Sequence, residues 1–197
     1  MIDVGCGSGR AVSELSSSGF RAVGVDISPE MIEEARRRSP GTEFLVGDAY
    51  ELAVPGGFSG YRVDKVFHEL AEPERAVSEA RRILVPGGRV VLAGHDWEAL
   101  VIDSSYPALT REIVRARASV VTAPRAARGF RRLLSRCGLC EVSVEAVVGF
   151  FGGGGGGLAG GAGRGWDGFC CAAVLGLQGG LRWGEWGIGP DSVVRLA

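Results

Sequence analysis

The chain is poor in several things. Lysine is almost absent: Lys65 is the only one among 22 basic residues. We read the arginine bias as genome composition rather than chemistry. Formal net charge is −1, which gives no support to nucleic-acid binding through bulk electrostatics. Local runs such as "ARRRS" and "GFRRLLSR" read as solvated helix faces. No run of about 18 apolar residues is present, so no membrane-spanning helix is expected. No basic region followed by an apolar stretch opens the chain, so no signal peptide is expected there. Five cysteines form an odd set, which argues against a full disulfide framework. The expected compartment is therefore the cytoplasm. Neither G-x-S-x-G nor G-x-x-x-x-G-K occurs, which leaves no support for a serine-hydrolase elbow or a phosphate loop.

What is present is an alternation of short apolar runs and helical patterns from Met1 to about Val148. "MIDV" reads as a clipped strand, and residues 9–18 as a helix ending before Gly19. "RAVGVD" is a second strand. The helix "SPEMIEEARRRS" has Ser28 as N-cap, Pro29 at its first position, Glu30 in the first turn and arginines in the last. Each choice suits the helix dipole. "EFLVGD" is a third strand, and "GYRVDKVF" contains a fourth. "EPERAVSEARRIL" is a helix stopped by Pro86-Gly87-Gly88, and "RVVLAG" is a fifth strand. Its continuous apolar character fits burial on both faces. Helices are expected near 105–119 and 124–137, and "CEVSVEAVV" alternates like a strand. The alternation predicts an α/β fold with a Rossmann-like open, mostly parallel sheet and helices on both faces.

Two segments are expected, 1–148 as the folded domain and 149–197 as an irregular Gly-rich tail. In the tail, "FFGGGGGGLAGGAGRG" offers few side chains to pack and loses much backbone entropy on ordering. "FCCAAVLGL" reads as a possible closing strand. The remainder reads either as a linker with an appendage or as a damaged reading frame. Trp183 and Trp186 read either as a cover for apolar acceptor surface or as incidental.

The loop "DVGCGSGR" follows the first strand directly. A Gly-rich turn there lies at the carboxyl edge of a parallel sheet, where open α/β sheets bind ligands. Asp26 ends the second strand, about 20 residues on, where a carboxylate can accept from both ribose hydroxyls. A dinucleotide fingerprint would place its third glycine at Arg10, so here it comes one position early. An acid two residues before the first glycine suits a ligand with an ammonium group and no pyrophosphate.

These features resemble the class I S-adenosylmethionine-dependent methyltransferases over about residues 1–148. "DVGCGSG" is similar to their first motif, "GVDISPEMIEEAR" to the second strand and helix, and "FLVGDAYEL" to the third strand. "EARRILVPGGRVVLA" is similar to the helix, turn and fifth strand. Within the superfamily the resemblance is to the small-molecule, ubiquinone/menaquinone-type branch. It implies that Asp3, Gly5, Gly7 and Gly9 line the methionine and ribose of S-adenosyl-L-methionine. Asp26 would bind the ribose hydroxyls and Ile27 would pack on adenine. Asp48 would accept from the adenine amino group, with Ala49 adjacent through its backbone. Arg62 would stand where the methionyl part passes. The chain departs from the pattern at Phe58-Ser59, usually Phe-Asp, and at Glu69, often histidine. Met1 falls inside the first strand, where the family has preceding helices, so an N-terminal truncation is expected.

The implied reaction is in-line displacement at an electrophilic methyl, with alignment and water exclusion as its main requirements. The acceptor, a small molecule, is expected over strands four and five, near His68, Glu69, His95 and Asp96. His95 is the first candidate base and His68 the second, although no base is expected to be obligatory. No metal is expected. Cys137-x-x-Cys140 follows a helix end, and with the adjacent Cys170-Cys171 it would make poor tetrahedral geometry. Two other readings remain. One is a cofactor-binding protein or defective fragment without turnover, and the other a nicotinamide-dependent oxidoreductase.

Overall fold

The computed structural model describes residues 1–102 and 104–146. The Gly-rich segment, the possible closing strand at 169–177, Cys170, Cys171, Trp183 and Trp186 lie outside the described residues. Five parallel strands form one sheet: β1 (Ile2–Val4), β2 (Val23–Asp26), β3 (Glu43–Val46), β4 (Phe58–Asp64) and β5 (Leu84–Ala93). Their spatial order is β3-β2-β1-β4-β5. The chain therefore builds outward from β1 in one direction, then returns to its other side with β4. The strand order reverses at β1, and the register there places Asp3 opposite Gly24 of β2 and Arg62 of β4.

Among the described residues five helices accompany the sheet: α1 (Arg10–Ser17), α2 (Pro29–Arg38), α3 (Pro73–Ile83), α4 (Pro107–Ser119) and α5 (Ala126–Arg136). Helix α2 starts as its sequence dictates. Ser28 Oγ accepts from Met31 N–H at 3.2 Å, with Pro29 in the first turn. Two cores result. Val12, Leu15, Ile32, Ala35 and Phe44 unite α1 and α2 with β3. Ile2, Val4, Tyr61, Val63, Val90 and Leu92 unite the central strands with Ala76, Ala80 and Ile83 of α3 and Phe130 and Leu134 of α5. Alternate strand residues enter that second core because a strand presents successive side chains to opposite faces.

Two expectations need correction. The turn Pro86-Gly87-Gly88 does not stop α3, which ends at Ile83 and passes straight into β5. The register jumps from Phe58↔Leu84 to Gly60↔Arg89, so the Pro-Gly-Gly segment is an irregularity inside the strand. The alternating stretch beginning at Cys140 is not a strand over residues 140–146. Glu141 has φ 54, which breaks the extended conformation. Among the described residues no neighbouring strand pairs with this stretch, and alternation alone does not hold a strand without a partner. Residues 147 and 148 lie outside the described residues. No described helix is long and apolar enough to cross a membrane.

Candidate active site

The loop after β1 is tied to β2. Gly5 and Cys6 N–H groups both donate to the Val25 carbonyl, at 2.7 and 3.0 Å. Its glycines do different jobs. At Gly5, φ +75, a Cβ would lie 2.1 Å from Val66 Cγ2; at Gly9 it would enter the Phe44 ring at 2.6 Å. Those two are demanded by packing. At Gly7, φ +52, a Cβ would meet nothing within 4 Å. That side of the loop is open, and the fold by itself gives the site no packing reason for a missing side chain.

Asp26 closes the loop from the tip of β2. Its Oδ2 accepts from Gly7 N–H at 2.8 Å and its Oδ1 from Ser28 N–H at 3.0 Å. A carboxylate has about four acceptor sites, so capacity remains on both oxygens. Beside it Ile27 is 71% exposed, and Val46 on the next strand is also exposed. Asp48 follows β3, exposed, with Oδ1 accepting from Tyr50 N–H at 2.9 Å, and Ala49 is buried.

Under the loop, Arg62 Nη1 donates to Asp3 Oδ1 at 2.7 Å and Arg62 Nη2 to Asp64 Oδ2 at 3.2 Å. Burial pushes the Asp3 carboxyl up, and Arg62 opposes that shift. The Cys6 thiol is pushed up to about 12, by burial first and then by the carboxylates of Asp3 and Asp26. The sulfur therefore stays a protonated thiol, which is a poor nucleophile. The same field that disfavours an anion at the loop favours a cation there.

The tips of β4 and β5 make a second half. His68 and His95 are the chain's two histidines, and each is only 8% exposed. Trp97 sits against both, with ring centroids 5.3 Å from His68 and 5.4 Å from His95. The Arg117 guanidinium of α4 lies 4.4 Å from the indole centroid, a cation–π distance. Two backbone bonds hold this corner together: Trp97 N–H to the Pro124 carbonyl at 3.0 Å, and Ala123 N–H to the His68 carbonyl at 2.8 Å. Burial lowers both imidazole pKa values. His95 falls to about 4, helped by nearby Lys65. For His68, Arg117 adds to the lowering while Glu69 and Asp64 oppose it. Both rings are neutral near pH 7.

Residues 2–92 match a family described as "Methyltransferase domain". That stretch is just under half of the chain, and it is similar to the class I S-adenosylmethionine-dependent methyltransferases. It is 30% identical over 94 residues to a demethylmenaquinone methyltransferase of Renibacterium salmoninarum, covering 47% of this chain and 40% of that protein. It is 41% identical over 128 residues to an uncharacterized 37.1 kDa protein in transposon TN4556 of Streptomyces fradiae, covering 61% of this chain and 36% of that protein. The chain thus matches well under two thirds of these curated relatives. Its fold is similar to that of Haemonchus contortus phosphoethanolamine N-methyltransferase 2, solved in complex with S-adenosyl-L-methionine. The TM-score is 0.60 at 22% identity, covering 74% of this chain and 34% of that one.

The residues of this methyltransferase domain fit the family's cofactor. Asp26, Ile27 and the open side of Gly7 stand together at one strand tip, and the loop field suits a sulfonium. Asp3 and Arg62 stand deeper and bond to each other. Of the sequence-expected acceptor residues, His68 and His95 converge. Asp96 does not join them: it bonds to Arg128 of α5, through Oδ1 and Nη2 at 2.9 Å. Trp97 and Arg117 were not foreseen. The aromatic directly after "GHD" is a signal for Trp97; Arg117 carries none, since only the placement of α4 brings it there.

Proposed function

We propose that this chain binds S-adenosyl-L-methionine across the tips of β1, β2 and β3 and methylates a small molecule held at the tips of β4 and β5. The observation that carries this reading is the Asp26–Gly7 bond beside exposed Ile27, at the reversal of strand order. When bound, the cofactor supplies a methyl on a sulfonium, which departs with its electron pair left on sulfur.

The chain's own residues then have three tasks. Asp26 and Asp48 accept hydrogen bonds from the nucleoside, and Ile27 covers its base. Asp3, Asp26 and Asp64 present negative potential to the cationic end, partly balanced by Arg62. Trp97, clamped by Arg117, shields the corner where His68 and His95 meet. Alignment and exclusion of water are the principal sources of rate in such a displacement.

Calorimetry with S-adenosylhomocysteine tests the reading. We expect one site per chain, with affinity lost in Asp26→Ala. A well-folded protein that shows no binding, or that prefers a nicotinamide dinucleotide, would overturn it. Binding without acceptor-dependent loss of methyl donor would favour a non-catalytic role.

A further inference from the structure

Three buried polar atoms at the β4 and β5 tips have no hydrogen-bond partner among the described residues: His68 Nδ1, Trp97 Nε1 and Asp64 Oδ1. Buried polar groups are normally satisfied, so a cluster of three exceptions at one corner points to a missing partner. The donor and acceptor character of two of them can be worked out. His68 Nε2 lies 3.1 Å from Glu69 Oε1. A carboxylate only accepts, so the proton of the neutral ring sits on Nε2. Nδ1 therefore carries the lone pair. Trp97 Nε1–H can only donate. An oxygen bearing a hydrogen has the character each of them lacks, accepting from the indole and donating to the imidazole.

The charges around the pair select the chemistry. Glu69 and Asp64 act on His68 from β4 and the turn after it, Arg117 from α4, and His95 from beyond β5. Lys65 acts on His95. Arg117 lies against the indole and stabilises an oxygen becoming anionic beside it, while Glu69 and Asp64 stabilise the imidazole as it takes up a proton.

We propose that the acceptor presents a hydroxyl group, phenolic or enolic, held between His68 Nδ1 and Trp97 Nε1, and that His68 oriented by Glu69 takes its proton. The proton passes from oxygen to Nδ1, and the oxygen lone pair forms the new O–C bond. The S–C bond breaks with its electrons kept on sulfur, and the imidazolium later returns its proton to water. His68 serves better here than His95, whose Lys65 neighbour makes it the poorer base.

This inference rests on the methyl-transfer reading, and its test reads the imidazole directly. In 15N-labelled protein with S-adenosylhomocysteine the chain's two histidines give two imidazole signal sets, assigned with His95→Gln. We expect His68 to be protonated at Nε2 and bare at Nδ1, with Glu69→Gln populating the other tautomer. Adding 4-nitrophenol is expected to move His68 Nδ1 toward the protonated position and to shift the Trp97 indole N–H. 4-Nitroanisole, the same ring without the proton, is expected to move neither. Trp97→Phe is expected to weaken 4-nitrophenol binding several-fold. A proton found on Nδ1 in the free protein, equal shifts with both probes, or no shift with 4-nitrophenol would overturn the inference. Failure to bind S-adenosylhomocysteine would count instead against the methyl-transfer reading, since the tautomer is measurable without it.

Discussion

Arg62 of β4 and Asp3 of β1 stand opposite each other in register and share a 2.7 Å charge-assisted hydrogen bond, with Arg62 9% and Asp3 2% exposed. They lie 59 positions apart in the chain. The pair joins the two halves of the sheet at the position where its order reverses. A buried ion pair contributes little net stability, but removing one partner strands the other charge.

Arg62→Met is therefore expected to cost about 3–5 kcal/mol of folding stability, since Asp3 and Asp64 lose their counter-charge. The double variant Asp3→Asn/Arg62→Met is expected to cost clearly less than the sum of the two single changes. Urea unfolding of all three variants reads the coupling. Strict additivity would mean that the pair is not a working contact.

Two glycines of one loop are expected to respond differently. Gly5→Ala drives a Cβ against Val66 and is expected to destabilise the fold by about 1–3 kcal/mol through overpacking, added to the strain of a positive φ. Gly7→Ala meets nothing and is expected to cost only about 1–2 kcal/mol of left-handed backbone strain. The Gly7 variant is nevertheless expected to lose more affinity for S-adenosylhomocysteine than that strain explains. Thermal unfolding paired with calorimetry separates the two effects.

Ile27 is a large apolar side chain left exposed beside Asp26. Ile27→Asp is expected to change stability by no more than about 0.5 kcal/mol, as for an ordinary surface position. Covering an apolar side chain contributes about 1.5–3 kcal/mol, so affinity for S-adenosylhomocysteine is expected to fall at least about tenfold. Unchanged affinity would remove Ile27 from the adenine side of the site.

His95 makes stability depend on pH. Its pKa is about 4 in the fold, lowered by burial and by Lys65 from an ordinary 6.5. Between those values the unfolded chain binds more protons, so stability rises with pH. The contribution is fully present above pH 6.5 and is lost as the pH falls toward 4, reaching about 3 kcal/mol at most. His95→Gln is expected to flatten this limb of the stability profile. Equal slopes in the two proteins across that window would show that His95 is not buried as described.

By itself the sequence determined the elements and one half of the site. The caps of α2 at Ser28 and Pro29, the glycine turn after β1 and the carboxylate at the end of β2 are local features. Neighbouring residues suffice to specify them, and so they are readable along the chain. Tertiary structure alone decided three other things. Pro86-Gly87-Gly88 lies inside β5 because β4 pairs with residues on both sides of it. Residues 140–146 alternate without becoming a strand, with Glu141 at φ 54 and no strand partner among the described residues. The contacts of Arg62 with Asp3 and of Trp97 with His68, His95 and Arg117 join residues from different elements. Such contacts depend on strand order, register and helix placement, which are properties of the packed chain as a whole.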